Sequence, residues 1–506
     1  MSRKPLWAGP LLAGLLGSPL LPPAPAAAVE EIVVTIPLLD ASLKLRVSEL
    51  QSAEALRRGS SDLAELDRAS NGAVGRQLLA VLNQPVPLSI TQVADGSVGS
   101  PLLEQALLVL SSFGTVEGRP ADLSGETLRQ ALRKASSNGQ PTLLSLIQAI
   151  PGERVTLDLG RARTIALRMA AQRREAERLL TTLPPAPAAQ PSALSGVSPI
   201  PSVPARTVQL AVAHRPKPLD LVVLEPRSGA NGRLVLISHG LWDGPDSFIG
   251  WGQLLASRGY TVILPRHPGS DQSQQQAVLS GTAPPPDPKA LALRPKDLAA
   301  VIDGSGQLGL ARAVDSQRVV VLGHSWGATT TLQLAGVRPK GSELRERCGN
   351  LEDPDRNLSW TLQCSWLSGV DEAAIQDRRV IAVGAVSPPM SLLFPRGSGL
   401  DLSARVLLVS GSRDWVVPPD PEAVDPMRRG KTQGNQLVLV QGGDHFNLRP
   451  GTQADGGVLG ALLLSWTNAA FAAGDAARPG PGATPLLRQG PWGNAQMPLV
   501  DATPGL

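Results

Sequence analysis

The chain has 506 residues, more than the ~100–200 of one compact domain, so two or more units are expected. Apolar residues make up 42% and charged residues 18%, ordinary for a globular protein, while 47 prolines and 51 glycines call for long irregular stretches. A net charge of +4 with no run of Lys or Arg gives no basis for a nucleic-acid partner.

At the N-terminus, Arg3 and Lys4 precede an apolar stretch from Leu6 to Leu21, followed by small residues around Ala24 to Ala28. A basic start, a short apolar core and a small-residue cleavage point together read as a signal peptide over residues 1–28, cut after Ala26 or Ala28. A membrane anchor is the weaker reading, because Gly9, Pro10, Gly14, Gly17 and Pro19 break a run shorter than the ~20 residues a span needs. Export to a periplasm, a thylakoid lumen or the cell exterior is therefore expected. No later segment is long and apolar enough to span a bilayer.

Residues 29–180 begin with two strand-like runs, IVVTIPLL and LKLRV, and continue in amphipathic helical patterning. Leu78, Leu79, Val81 and Leu82, then Leu102, Leu103, Leu107 and Leu110, recur at helical spacing, so this unit is expected to be mostly helical. Residues 181–205, a Pro/Ala/Ser stretch, cannot supply a core and read as an extended linker.

From Arg206 the pattern changes to short apolar runs separated by Gly/Pro turns and helical segments. Strands are expected at Thr207–Ala213, Leu219–Leu224, Leu234–Ser238, Thr261–Leu264, Val319–Leu322, Val380–Val386, Val406–Ser410 and Gln436–Val440. Most lack polar alternation, the mark of strands buried on both faces, so residues 206–475 should form an α/β domain with a mostly parallel, doubly wound sheet. The first two strands, joined through Arg215-Pro216-Lys217-Pro218, fit an antiparallel hairpin at the sheet edge. Residues 476–506 are rich in Pro and Gly and read as a disordered or loosely packed tail.

The chemistry centres on Gly323-His324-Ser325-Trp326-Gly327, between the strand RVVVL and a helical segment. This is G-x-S-x-G in the strand–turn–helix setting of a nucleophile elbow, where side chains at the two glycines would keep strand and helix apart. A serine needs a base, and in this arrangement the partners follow in the order Ser, acid, His. Of five histidines, His214, His239, His267 and His324 precede Ser325, and His445 alone follows it, on the turn after QLVLV.

The acid should leave the C-terminal end of a strand between Ser325 and His445. Asp414, directly after RVLLVSGSR, fits best. Asp420 and Asp425 lie farther along a proline-rich loop, where capping or solvation suits them better, and Asp444 is expected to be structural. For the oxyanion, one donor should be the amide of Trp326 and the second that of Leu241, in the loop Ser238-His239-Gly240-Leu241-Trp242, with His239 shaping that loop. The two cysteines, Cys348 and Cys364, are either bridged or two buried thiols; without a nearby histidine they do not make a zinc site. They lie in residues 339–379, which carry Trp360 and Trp366 and read either as a cap favouring acyl or lipid-like substrates or as a surface excursion. No cofactor or metal is implied.

ISHGL, LASRGYTVILPRHPGSD, LGHSWGATTTLQLAG, LLVSGSRDWVVP and GGDHF, all between Leu234 and His445 apart from Phe446, resemble the α/β hydrolases grouped with dienelactone hydrolase and platelet-activating-factor acetylhydrolase. More closely, Val29 to Trp466 resembles a cyanobacterial hydrolase family with an N-terminal helical domain of unknown function, through VTLDLGRA at Val155–Ala162 and LSWTLQC at Leu358–Cys364 as well. The resemblance implies an α/β-hydrolase fold, a Ser–Asp–His triad at Ser325, Asp414 and His445, and oxyanion donors at Leu241 and Trp326. It departs at Trp326, where phenylalanine is common, and at Ala328, where a further glycine is frequent. It implies a serine esterase acting on a small-molecule or lipid-like ester. A thioesterase, a peptidase and a catalytically degenerate binding module stay open at this level.

Overall fold

The computed structural model describes residues 28–36, 41–84, 114–117, 126–137, 141–190, 202–280, 282–350, 353–367, 369–370, 375–394, 402–474, 478–488 and 490–506. The expected signal peptide, apart from Ala28, and the run from Leu102 to Leu110 lie outside them.

The described part of the N-terminal unit has helices, as expected, and its two expected strand runs belong to a four-stranded sheet. Its strands β1 (Glu31–Ile36), β2 (Ala41–Arg46), β3 (Gly114–Val116) and β4 (Arg154–Asp158) lie in the order β2-β1-β4-β3, with β1 parallel to β4. Around them are α1 (Ala53–Arg58), α2 (Asp62–Ala69), α3 (Ala73–Leu82), α4 (Glu126–Ser136) and α5 (Leu143–Ala149). Ser52 and Ser61 cap α1 and α2 through side-chain oxygens, and Leu56, Leu63, Leu79, Leu82 and Leu144 close a small core. β3 and β4 escaped the sequence reading because their residues are half exposed and too few to show a period.

Next come α6 (Leu159–Ala171) and α7 (Arg174–Thr182). The domain boundary expected at 181–205 falls earlier, because α7 belongs to the large domain. Ala176 and Leu179 are buried in that domain's core, and both Asp420 carboxylate oxygens accept the N-terminal amides of α7, from Glu175 and Ala176, at 2.9 and 2.8 Å. The Pro/Ala stretch after it is no free tether where it is described: Ala186 N donates to Leu499 O at 2.8 Å, and Ala189 N to Gly493 O at 3.0 Å.

The large domain is built on β5 (Ala205–Leu210), β6 (Leu219–Leu224), β7 (Arg233–Ser238), β8 (Thr261–Pro265), β9 (Asp315–His324), β10 (Val380–Val386), β11 (Arg405–Gly411), β12 (Gln436–Val440) and β13 (Leu499–Asp501). They form one nine-stranded sheet in the order β13-β12-β11-β10-β9-β7-β8-β6-β5. β7 to β12 run parallel, and β5 with β6 makes the edge hairpin. The helices are α8 (Ile249–Ser257), α9 (Gln272–Leu279), α10 (Ala290–Gly304), α11 (Trp326–Leu334), α12 (Gly341–Cys348), α13 (Ser359–Cys364), α14 (Asp425–Gly430) and α15 (Gly460–Ala473).

Successive residues of a strand face opposite ways, which is visible in the core. Val319 and Val321 of β9, Val406 and Leu408 of β11, and Leu437 and Leu439 of β12 join one apolar cluster. Val320, Leu322, Leu407, Val409, Val438 and Val440 join the other. Each such side chain contributes ~1.5–3 kcal/mol on burial.

The described part of the C-terminal segment, residues 478–488 and 490–506, corrects the expectation of a loose tail. β13 pairs antiparallel with β12, and Leu487, Trp492, Leu499, Val500 and Ala502 are buried. Composition averaged over the segment hides a three-residue strand, and the apolar edge β12 needs a partner to satisfy its backbone.

Candidate active site

The parallel strands end at one edge of the sheet, and the loops leaving β7, β9, β11 and β12 meet there. At the end of β9 the chain turns sharply into α11 through Ser325, whose φ of 54° and ψ of −124° are strained for a residue with a side chain. The two glycines make this possible. A Cβ on Gly323 would lie 2.4 Å from the Gly327 carbonyl, and one on Gly327 would lie 2.0 Å from the Ser238 carbonyl of β7.

The loops after β11 and β12 are pinned together. Arg413 N donates to Gly443 O at 2.7 Å, Ser412 N to Val440 O at 3.0 Å, and Gly442 N to Ser412 Oγ at 3.0 Å. This brings Asp414 and His445 side by side. His445 Nδ1 lies 2.9 Å from Asp414 Oδ2 and its Nε2 lies 3.1 Å from Ser325 Oγ. A carboxylate only accepts, so Nδ1 carries the proton and Nε2 is free to accept from the Ser325 hydroxyl. The other carboxylate oxygen of Asp414 accepts the amides of Val416 and Val417 at 3.0 and 2.8 Å, which fixes its orientation. Asp414 is fully buried, whereas Ser325 and His445 keep 4% and 5% exposure, so the reacting end of the row alone is reachable from outside.

His324 steadies this arrangement. Its Nε2 lies 2.9 Å from the backbone oxygen of His445, a distance at which the ring N–H donates, and the two rings are 4.8 Å apart. Burial, reinforced by His445 and Arg449, holds His324 well below the ordinary histidine range, so it is neutral.

Of the rival carboxylates, Asp420 caps α7, Asp425 pairs with Arg428 at 3.0 Å, and Asp444 accepts the amides of Phe446 and Asn447 in its own turn. The structure thus brings together Ser325, His445 and Asp414 and places the other three elsewhere.

Leu241 lies in the loop after β7. Gly240 packs so closely on the elbow that a Cβ there would be 3.3 Å from Ser325 Cβ. Trp326 opens α11, and its indole packs 4.4 Å from that of Trp366. Trp366 belongs to residues 339–379, where Cys348 and Cys364 are bridged. Leu344, Trp360 and Trp366 of this segment bury into the same cluster as the sheet. Glu422, fully buried, ties it down by accepting from Asn357, Ser359 and Gln363 on one side and from the Met390 and Ser391 amides on the other.

Behind the β7 loop lies a buried polar cluster that sequence reasoning missed. His267 Nδ1 lies 2.8 Å from Asp297 Oδ2 and its Nε2 lies 2.9 Å from Ser238 Oγ, while Arg215 and His214 also reach Asp297. Burial lowers His267 to about 4. Burial alone would raise Asp297, but hydrogen bonds from His214, His267 and Arg215 hold it well below the carboxylate range. His267 lies in the stretch RHPGSD, yet Asp297 comes from α10, and no local pattern links the two. Among the described residues, no group of three or more His, Cys, Asp or Glu side chains is placed to hold a metal, and no helix is long and apolar enough to cross a membrane.

Residues 233–342, which carry β7, the loop with Leu241, β9 and the elbow, match a family model described as the alpha/beta hydrolase fold. The large domain has the alpha/beta-hydrolase fold. Such a fold supports a hydrolase in general. The match stops before Asp414 and His445, so those two positions rest on geometry. Residues 28–158, the N-terminal unit, match a model described as an alpha/beta hydrolase of unknown function (DUF1400). None of the site residues falls within that range. No curated protein matches the chain.

Proposed function

We propose that the chain is an exported serine hydrolase that cleaves a carboxylic or lipid-like ester through an acyl-enzyme. Ser325 Oγ attacks the ester carbonyl carbon while His445 Nε2 takes its proton, and Asp414 stabilises the imidazolium. The oxygen, now anionic, rests on the amides of Leu241 and Trp326. His445 returns the proton to the leaving alcohol, then deprotonates a water that attacks the acyl carbon and frees Ser325. No cofactor enters this sequence.

The observation that carries the reading is the continuous row from Ser325 Oγ through His445 to Asp414, with spacings of 3.1 and 2.9 Å. Two features support the finer parts. The indoles of Trp326, next to Ser325 in the chain, and Trp366 pack 4.4 Å apart in the apolar core beside the elbow, and these apolar surroundings favour an acyl or lipid-like group, in keeping with the likeness to dienelactone hydrolase and acetylhydrolase motifs. The bridge between Cys348 and Cys364 supports export, since disulfides persist in oxidising compartments.

The test is turnover of p-nitrophenyl esters of increasing acyl length by the wild type and Ser325→Ala, with fluorophosphonate labelling of both. Wild-type turnover and labelling, both abolished in Ser325→Ala, are expected. Equal turnover by the two proteins refutes the serine mechanism, and cleavage of thioesters or peptides in place of oxygen esters moves the substrate class alone.

A further inference from the structure

We propose that Arg294 and His239 are positioning residues for the oxyanion donor: together they hold the carbonyl of the Gly240–Leu241 peptide and so aim that peptide's N–H at the Ser325 site. The inference rests on the serine-hydrolase reading above and names what keeps its oxyanion site in register.

A peptide unit is planar and trans, so its C=O and N–H point in opposite directions and fixing one fixes the other. The Gly240 oxygen has two neighbours able to donate to it, His239 Nδ1 at 2.8 Å and Arg294 Nη2 at 3.3 Å. Arg294 Nη2 also donates to the His239 carbonyl, so one guanidinium holds two successive carbonyls of the loop. The tautomer of His239 follows from its other nitrogen. His267 N–H donates to His239 Nε2 at 3.0 Å, which leaves the proton on Nδ1, directed at the Gly240 oxygen. Burial, with Arg294 next, keeps His239 well below the ordinary histidine range, and it stays neutral.

The anchor continues inward. His267 is itself locked between Asp297 and Ser238, and Arg215 grips Asp297 at 2.6 Å. Arg294 is brought to the loop by α10, where Pro295 lacks the N–H that would bond Leu291 O; Gln333 of the elbow helix α11 supplies that bond at 2.9 Å. The helix carrying Arg294 is thereby fastened to the helix that begins at the elbow.

A structural role alone accounts poorly for Arg294. It is 1% exposed, and its Nε and Nη1 meet no acceptor among the described residues. A buried cation left partly unmatched is costly, and an apolar side chain of similar volume would avoid that cost. What Arg294 does hold is the loop backbone packed against the elbow, where a Cβ on Gly240 would come within 3.3 Å of Ser325 Cβ. Donors on the Gly240 carbonyl also polarise the amide, which makes the Leu241 N–H a better donor to a negative oxygen.

The experiment compares His239→Leu and Arg294→Met with the conservative His239→Asn, which keeps an amide N–H near the place of Nδ1, and Arg294→Lys. Readouts are kcat and KM on p-nitrophenyl butyrate, inhibition by a trifluoromethyl ketone whose adduct carries the oxyanion, and Tm. Loss of an oxyanion donor costs ~10²–10³-fold in kcat, so misaiming one should cost about 10–100-fold. His239→Leu and Arg294→Met are expected to lose that factor in kcat and in ketone affinity, with KM within about threefold of wild type. His239→Asn and Arg294→Lys should recover most of it. Unchanged kcat in the first pair overturns the inference, as does a kcat loss that tracks Tm and is not recovered by the conservative pair. A wild type that neither turns over nor labels with fluorophosphonate overturns the underlying reading as well.

Discussion

Gly327→Ala is a small change with a large expected effect. The added Cβ would sit 2.0 Å from the Ser238 carbonyl oxygen, 2.6 Å from its carbon and 2.7 Å from the His239 oxygen, all backbone atoms. Real Cβ contacts are essentially never shorter than 3.0 Å, so α11 and the end of β7 must separate by about 1 Å. That movement acts on both proposed oxyanion donors, since Trp326 precedes Gly327 and Leu241 follows Ser238 by three residues. Misplacement by ~1 Å costs about 10²-fold in rate, and overpacking of this kind costs ~1–3 kcal/mol in stability. With p-nitrophenyl butyrate as substrate, kcat should fall about 100-fold while the protein stays folded, with Tm lowered by several degrees. Turnover within about threefold of wild type would refute the argument that this contact sets the geometry of the elbow.

Three further outcomes follow from the structure. The buried His267 takes up a proton at about 4, whereas an unfolded chain does so near 6.5, so the folded state loses stability as pH falls through that window, by ~3 kcal/mol. Urea midpoints at pH 7 and 4.5 should show a steeper fall in the wild type than in His267→Gln, and parallel falls would contradict this. The bridge Cys348–Cys364 spans a separation of 16 residues, for which loop-closure entropy gives ~3 kcal/mol; Cys348→Ser with Cys364→Ser should unfold at lower urea, and identical midpoints in oxidised protein would refute the estimate. Deleting residues 499–506 removes the partner of Val438 to Val440 and the fully buried Leu499 and Val500, each worth ~1.5–3 kcal/mol. The truncated chain should melt earlier and aggregate through the bared edge, and a product as stable and monomeric as the full chain would show that β13 is dispensable.

Strands of the large domain were legible because burial on both faces demands uninterrupted apolar runs; Leu219–Leu224, Val380–Val386 and Gln436–Val440 could be bounded to the residue. Local chemistry was equally readable: a serine at a turn too tight for side chains on either side, one histidine after it, and an aspartate leaving the intervening strand. Those inferences need chain order and short-range sterics alone. Elements held by distant partners gave no such sign. β4 and β13 are short or half exposed and are stabilised by surfaces far away in sequence, β1 for β4 and β12 for β13; the helical pattern of α7 was legible, but its docking on Asp420 and the large core was not.

What the sequence by itself determined is therefore the sheet, its buried strands and the identity of Ser325, Asp414 and His445 as a candidate row, because period, turn chemistry and order are properties of the chain. What only the tertiary structure decided is which backbone the buried charges hold. Arg294, His239, His267 and Asp297 come from three separate segments, and the hydrogen bonds that aim the Gly240–Leu241 peptide exist only once α10 lies against the loop after β7. Three-dimensional proximity has no counterpart in local pattern, and that is why the proposed acylation chemistry could be read from residues while its support had to be seen.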